Sequence, residues 1–429
     1  MEVKMIFGVF TFVLIFLLIS TEKINKTLAA LFGAALFMLT AIIPQKQAFD
    51  EVDWNVIFLL IGMMIIVGIT RQTGLFQFIA IKMAKLAKGN PFKILLFLSL
   101  ATAIFSALLD NVTTVLILTP ITILIAVELG ITPVPFIISE ILASNIGGTS
   151  TLIGDPPNIM IGSAAHLSFI DFVLNLGPLI LILMVVFSVI VYFLWGKKMH
   201  VTNEKKARIM EFDESKFLND KPLLIKSLSI LTLVVLGFLI HNTLDIEAAT
   251  IALGGATLLM LISKKHDVEK FFHEVEWETI FFFIGLFILV AGLAELGIIK
   301  KMAEALISVT NGDIRMTSII IIWGSGIISG FVDNIPYVAT MITLIKDFGQ
   351  DPIIVAEHIS ITPIWWSLAL GACLGGNATL IGASANVVAA GISGKNGYKI
   401  SFLQFTKYGA FITVVNLIVS SAYIYLRYF

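Results

Sequence analysis

Two short motifs in this chain place a carboxylate next to an amide between apolar runs. LDNVTT contains Asp110 and Asn111, and VDNIPY contains Asp333 and Asn334. A carboxylate in an apolar helical hairpin is costly, so it indicates an ion-binding function by default. The alternative is that each pair only caps the helix that follows it. Because the pair occurs twice, each time ahead of a Gly-Gly segment, the sequence favours a binding site, and both roles can coexist.

Two longer segments combine helix breakers with oxygen-bearing side chains. GGTSTLIGDPPN covers 147–158, and GGNATLIGASAN covers 375–386. Proline removes a backbone donor and clashes with the preceding turn, so we expect the first segment to interrupt its helix at Gly147-Gly148 and again at Asp155-Pro156-Pro157. The freed carbonyls and the side-chain oxygens suit an alkali cation, and the positive end of a broken helix suits an anion.

These four segments supply all the candidate site residues. We expect each hairpin tip to face the interrupted span of its own copy, with Asp155 joining the first tip. The predicted ion or substrate ligands are Asp110, Asn111, Asn145, Thr149, Ser150, Thr151, Asp155, Asn158, Asp333, Asn334, Asn377, Thr379, Ser384 and Asn386. The glycines predicted to allow close backbone approach are Gly147, Gly148, Gly375 and Gly376.

Asp155 distinguishes the two longer segments, because Ala383 stands at the equivalent place in the second. A carboxylate at a broken helix can exchange a proton for a cation, since burial favours its neutral form and a bound cation favours its charged form. Asp155 is therefore the predicted coupling residue. The alternative is structural: an Asx turn ahead of Pro156-Pro157 that holds the break open.

The composition places these motifs in a membrane protein. Of the 429 residues, 58% are hydrophobic and 13% are charged, which is too apolar for an ordinary soluble protein. Apolar runs of about 16 to 20 residues can each cross the bilayer as a helix, so we predict an all-α polytopic fold. The net charge of −1 offers no basic surface for nucleic acid. No phosphate loop, zinc helix or nucleophile elbow indicates an enzyme, and no cofactor is expected beyond bound Na+.

Several motifs occur twice in this chain. EVDWNVIFLLIG begins at Glu51 and EVEWETIFFFIG at Glu274, and the other motifs repeat in the same order, which indicates an internal repeat. The predicted units are repeat 1 (1–196), a linker (197–222) and repeat 2 (223–429). The predicted hairpins are about 93–128 and 317–347, and the predicted broken helices are about 133–163 and 360–391.

Each copy has an odd number of predicted crossings, so the second copy enters from the opposite face and the repeats are inverted, as in many secondary transporters. The linker carries seven Lys and Arg residues, and basic residues are enriched in cytoplasmic loops. We therefore expect a multi-pass protein of the plasma (inner) membrane, with the linker in the cytoplasm and both termini outside.

At ASNIGGTSTLIGDPPN, SALLDNVTTVLILTP, SGFVDNIPYVATM and GACLGGNATLIGASANVV the chain resembles the ion transporter superfamily. The branch is that of arsenite permeases, D-type Na+/H+ antiporters and the melanosomal P-protein, with P-protein-like permeases closest. The resemblance implies a scaffold, re-entrant hairpins, an elevator-type transport domain and a homodimer. Dicarboxylate carriers of the superfamily have a Ser-Asn-Thr type motif at the tips. Asp110 and Asp333 depart from it and disfavour a dianionic substrate.

The predicted function is secondary active transport of a small ion, by Na+/H+ exchange or by arsenite or metalloid efflux coupled to a cation or proton. Two alternatives stay open: a passive anion channel-like permease, and the membrane subunit of an ATPase-driven arsenite pump. The expected partners are the small ion, membrane lipid and a second copy of the chain.

Overall fold

The computed structural model describes residues 2–21, 24–263, 268–356 and 358–429, and all the regular secondary structure within these ranges is helical. Seven of the described helices are long and apolar enough to cross a membrane. An eighth span results if Pro156–Ala165 and Phe169–Asn175, which are bent by 111°, are counted together. These findings confirm the prediction of an all-α protein with several membrane spans.

The helices are numbered in chain order. Up to the linker they are α1 Glu2–Thr21, α2 Lys26–Leu39, α3 Gln45–Asp50, α4 Trp54–Gln72, α5 Leu75–Leu86, α6 Pro91–Leu108, α7 Asn111–Glu128, α8 Val134–Gly148, α9 Pro156–Ala165, α10 Phe169–Asn175, α11 Gly177–Leu194 and α12 Asn203–Glu211. After it they are α13 Lys221–Ile240, α14 Ala248–Ile262, α15 Val268–Phe272, α16 Trp277–Glu295, α17 Ile298–Thr310, α18 Ile314–Ser329, α19 Asn334–Gly349, α20 Pro352–Ala356, α21 Thr362–Gly375, α22 Ser384–Lys395 and α23 Phe402–Tyr428.

Short polar signals in the sequence set the starts of many helices. Asn90 accepts a hydrogen bond from Lys93 N and Pro91 follows at the first helical position of α6, where its missing N–H costs nothing. Asp53 and Asp313 accept from backbone N–H groups at the starts of α4 and α18 in the same way. Such caps satisfy donors that the helix itself leaves free.

Two helix pairs join the first half of the chain to the second. Helix α2 runs beside α16, and α4 runs beside α14. A Cβ on Gly62 would lie 2.6 Å from the Ala252 backbone carbon, and one on Gly285 would lie 2.9 Å from that of Ala30. Glycine at both crossings lets the backbones approach closely, as is common between membrane helices.

The hairpin helices and the broken helices form the rest of the interior. Helix α8 packs along α6, and α21 packs along α18. The later half of each broken helix instead crosses to the other repeat, so that α9 lies on α19 and α22 lies on α7. By contrast, only 28% of the apolar window of α13 is buried, against 72% for α4, so α13 lies at the periphery.

The linker docks on one end of the bundle. Asn219 N donates to Thr73 O, just beyond α4, at 3.0 Å, and Lys85 Nζ donates to Phe212 O at 2.9 Å. Lys85 also binds Glu214, and this hydrogen bond holds the pKa of the Glu214 carboxyl below its ordinary value. At the same end Arg71 forms a 2.7 Å ion pair with Glu274, next to the start of α16.

Candidate ion and substrate site

Both hairpin tips cap the helix that follows them. The Oδ1 atom of Asp110 accepts a hydrogen bond from Thr113 N at 2.7 Å, and that of Asp333 accepts one from Ile335 N at 3.1 Å. Each aspartate is thus the N-cap of the second hairpin arm, α7 or α19. A cap uses only part of a carboxylate's acceptor capacity, so each tip keeps oxygen atoms for another partner.

The helix breaks lie slightly later than predicted. Gly147 and Gly148 are the last residues of α8, and the backbone leaves the helix only from Thr149 to Asp155. The expected interruption at Gly147-Gly148 therefore begins one residue later, after Gly148. These glycines allow tight packing, because a Cβ on Gly147 would overlap the carbonyl oxygen of Ala103. Gly375 ends α21 in the same way and faces the backbone of Gly326.

An asparagine in each later half-helix satisfies carbonyls that its break sets free. Asn158 Nδ2 donates to Thr151 O at 2.9 Å and to Thr149 O at 3.2 Å. Asn386 Nδ2 donates to Gly376 O at 2.7 Å and to Thr379 O at 2.9 Å. The breaks are thus held in one shape by buried amide hydrogen bonds, as buried backbone groups require.

The hydroxyl groups of the breaks also bind backbone oxygens. Thr149 Oγ1 donates to Asn145 O at 2.7 Å, and Ser150 Oγ donates to Gly147 O at 2.6 Å. Thr151 Oγ1 donates to Ala107 O, and Thr379 Oγ1 donates to Gly330 O, so each break is tied to its own hairpin. In this conformation the four hydroxyls therefore stabilise the breaks, and only their oxygen lone pairs are left for a ligand.

A buried cluster of amides joins the first tip to both breaks. Asn145 Oδ1 accepts from Asn111 Nδ2 at 3.1 Å, while Asn145 Nδ2 lies 2.9 Å from both Asn377 Oδ1 and Asn386 Oδ1. Asn377 Nδ2 in turn donates to Leu142 O at 3.1 Å. The structure thus brings together four of the predicted site residues, drawn from both repeats, in a region closed to solvent.

Asp155 lies against the tip of the other repeat. Its carboxylate oxygens are 3.4 and 3.5 Å from Asn334 Nδ2, and the residue is 1% exposed. The prediction paired Asp155 with Asp110 and Asn111 of its own copy, whereas the hydrogen-bond partner in the structure belongs to the second tip. The cause is the crossing of α9 onto α19, which carries Asp155 to the second tip. Cys373 lies beside Asp155, and its Sγ atom is 3.5 Å from Asn158 Oδ1.

Lys26 completes the second tip, although sequence reasoning did not include it in the site. Its Nζ atom is 3.0 Å from Asp333 Oδ2 and donates to Ser384 Oγ at 2.6 Å. Ser384 Oγ donates to the same Asp333 oxygen at 2.8 Å. One signal could have found this residue. Lys26 is the first residue of α2, where the helix dipole disfavours a cation, so an external anion is needed to hold it.

A cavity of about 280 Å³ opens beside the tips. Its polar lining is Lys26, Asp110, Glu276, Thr279 and Ser384, and its apolar lining includes Leu60, Met64, Phe282 and Ile335. Glu276, the residue before α16, accepts a hydrogen bond from Thr279 Oγ1 at 3.1 Å and borders this cavity. Asn111, Asn145, Asp155, Asn377 and Asn386 lie behind the tips and do not line it.

Overlap at Gly147 leads to a stability prediction. Gly147→Ala is expected to lower the thermal stability of the purified protein, because the added methyl group meets the backbone of α6 rather than a movable side chain. Overpacking of this kind costs about 1–3 kcal/mol. Gly391→Ala in α22 is the matched control, since its Cβ meets nothing within 4 Å. Equal melting curves for the two variants would contradict the tight helix crossing.

Comparison with known proteins adds a family and a fold. The model of the CitMHS family, described as citrate transporter, matches residues 16–371. An uncharacterized transporter of Mycobacterium bovis is 44% identical over 422 residues, which cover 97% of each chain. The P protein of Sus scrofa is 33% identical across 96% of this chain, which spans 58% of that longer protein.

A solved structure is similar in fold. The YdaH transporter of Alcanivorax borkumensis superposes with a TM-score of 0.61, covering 99% of this chain and 98% of its own. The sequence identity is 12%, so this likeness concerns the fold alone.

Proposed function

We propose that this chain, which belongs to the CitMHS (citrate transporter) family, is a secondary active transporter. Ion binding at the hairpin tips drives the exchange of a small ion. Family membership confirms the resemblance to the ion transporter superfamily and the prediction that the chain is a membrane transporter and not an enzyme. The observation that carries the finer proposal is the cavity at the tips, where Asp110, Glu276 and the Lys26–Asp333 pair meet broken helices.

Inverted repeats are part of the proposal. The α2–α16 and α14–α4 pairs support them, because equivalent glycines, Gly62 and Gly285, face equivalent helices. The opposite directions of α4 and α16 also support inverted repeats. Helix α4 ends and its counterpart α16 begins at the linker end, as the Arg71–Glu274 ion pair indicates. At the other end of these helices, Gln47 Nε2, ahead of α4, donates a hydrogen bond to Glu295 Oε2 at the end of α16.

The grouping of the helices supports an elevator-type movement. We infer that α6–α9 and α18–α22, which hold the tips and breaks, move as one transport domain along a scaffold that contains α2, α4, α14 and α16. The cavity lies between these two groups, and Lys26 reaches across it from the scaffold. Moving a bound ion together with the tips would expose it alternately on the two sides.

Within the moving part we assign Asp110 to binding the coupling proton or Na+, and Asp155 to taking up and releasing the coupling proton. Asp110 borders the cavity. Asp155 does not line the cavity and lies against Asn334 of the second tip. The asparagines hold both breaks in register and leave carbonyl and amide oxygens close to the tips. Oxygen-rich sites of this type suit hard cations, which favours Na+/H+ exchange or metalloid efflux coupled to either ion.

A second candidate is uptake of a carboxylate with a coupled cation. It is favoured by the Lys26 ammonium in the cavity and by the description of the family as citrate transporter. Asp110 and Glu276 oppose a multiply charged anion, unless a cation accompanies it. Citrate, alone and with Mg2+, therefore belongs among the substrates to be tested.

The test is a panel of fluxes in proteoliposomes with imposed proton or sodium gradients, using Na+, Li+, arsenite, chloride, citrate and citrate with Mg2+. The proposal predicts that one small ion moves faster with a gradient than without, at a rate above that of protein-free vesicles. If the gradient accelerates the flux of citrate and of no other substrate, carboxylate uptake replaces ion exchange as the function. Flux only on addition of a soluble ATPase would overturn secondary transport.

The membrane orientation is also a proposal, with the linker in the cytoplasm. Thr243→Cys and Glu204→Cys place single exposed thiols at the α13–α14 connection and in the linker, while the native Cys373 is buried. A membrane-impermeant thiol reagent is expected to label Thr243→Cys in intact cells, and Glu204→Cys only after permeabilisation. The reverse pattern would contradict the assignment.

We propose further that the protein works as a homodimer in the plasma (inner) membrane, as the resembled superfamily does. The apolar surface left exposed on α13 is available to lipid or to a second copy. Molar mass in detergent, corrected for bound detergent, should equal two chains. A mass of one chain in lipid nanodiscs would contradict the dimer.

A further inference from the structure

The two hairpin tips differ in charge although they are equivalent in sequence. Asp333 is held by Lys26 at 3.0 Å and by Ser384 at 2.8 Å. Asp110 forms no ion pair among the described residues, and the acidic Glu276 borders the same cavity. The equivalent helices α2 and α14 also differ in their first residue, which is Lys26 in α2 and Ala248 in α14. Within the described part of the chain, the second tip alone therefore receives a cation from the protein itself.

We propose that Lys26 is a tethered cation which occupies the second tip and restricts mobile cation binding to the first. Its ammonium binds the Asp333 oxygen and the Ser384 hydroxyl that a sodium ion would otherwise use, and it lies 5.0 Å from the centre of the Phe282 ring. Two cations cannot share this position, because their repulsion is strong where water is scarce.

The side-chain exposures fit this role. The Lys26 side chain is 25% exposed and that of Asp333 is 11% exposed, so the pair is partly withdrawn from water, while Lys26 still borders the cavity. A carboxylate left alone at such a position is costly, and where it stays ionised a cation from solution stabilises it. Removal of the Lys26 charge should therefore create a cation site at the second tip that the native protein lacks.

Na+ is the probe for this site, and thermal stability of the purified full-length protein is the readout. A ligand that binds only the folded state raises its stability with concentration. We expect Lys26→Gln to gain stabilisation by NaCl over choline chloride at equal ionic strength, by at least about 2 °C relative to the native protein at saturating Na+. Glutamine can still donate to Ser384, so the charge is the main change.

Two variants serve as controls. Lys26→Arg keeps the charge and should show no added Na+ effect. Lys26→Gln combined with Asp333→Asn removes both charges and should also show none. If Lys26→Gln alone does not fold in choline, the inference predicts recovery by Na+ or by the added Asp333→Asn substitution. Superimposable Na+ curves for Lys26→Gln and the native protein, or absence of both recoveries, would overturn it.

This inference deepens the proposed function and rests on it for the meaning of the tips, but its test does not use transport. A native protein without gradient-driven flux, together with a Lys26→Gln variant that gains Na+ binding, would reject the transport proposal and keep the tethered cation. Coupled flux with no Na+ gain in the variant would do the opposite.

Discussion

Asp155→Asn is expected to abolish gradient-driven exchange while leaving the protein folded. The residue is 1% exposed and its carboxylate lies against the amide of Asn334, so asparagine fits the same space and can still form a hydrogen bond. Asparagine cannot take up or release a proton. We expect the flux driven by a proton gradient to fall by at least about tenfold, the factor that corresponds to about 1.4 kcal/mol.

The matched control for this variant is Asp50→Asn, an equal change at an exposed aspartate at the end of α3. It should transport like the native protein. Melting temperature and elution profile must show that Asp155→Asn is folded. Unchanged pH-dependent exchange in the folded Asp155→Asn variant would reject the coupling role and leave the structural Asx-turn explanation.

A second large effect is expected at Asp110, where two roles overlap. Asp110→Asn keeps an N-cap, because asparagine caps helices about as well as aspartate, but it removes the charge that faces the cavity. We therefore expect native stability together with loss of gradient-driven flux. This variant separates the binding role from the capping role.

The Asp110→Ala variant should lose both the binding role and the capping role of this residue. Without the hydrogen bond to Thr113 N, stability should fall by about 0.5–2 kcal/mol, in addition to the loss of flux. The two variants measured side by side distinguish the explanations. If Asp110→Asn transports like the native protein and only Asp110→Ala is impaired, the tip aspartate is a cap alone.

Local chemistry made much of this architecture predictable. Pro156 and Pro157 are disfavoured in a helix interior but tolerated in the first turn, and α9 starts at Pro156. Asp110 and Asp333 were read as cap or ligand, and they do cap their helices. The glycines were harder, because Gly147 and Gly148 remain helical and serve packing. A glycine pair alone does not distinguish a break from a close contact.

The arrangement across the repeats could not be predicted from one sequence. The repeat shows that Asp110 and Asp333 are equivalent, but not which break each of them faces. That depends on how α9 and α22 cross between the halves, which is a matter of packing over the whole bundle. Lys26 was missed for the same reason: its partner Asp333 lies far along the chain, and only the folded structure brings them together.

The central claim is that ion binding at the tips couples a gradient to transport, and uphill accumulation tests it most directly. Proteoliposomes loaded with equal substrate inside and outside should accumulate or expel the ion identified in the flux panel when a proton or sodium gradient is imposed, and should return to balance when an ionophore removes that gradient. Asp155→Asn vesicles should stay at balance throughout. If the native protein only equilibrates the ion down its own gradient, the protein is a passive pathway and the account is wrong.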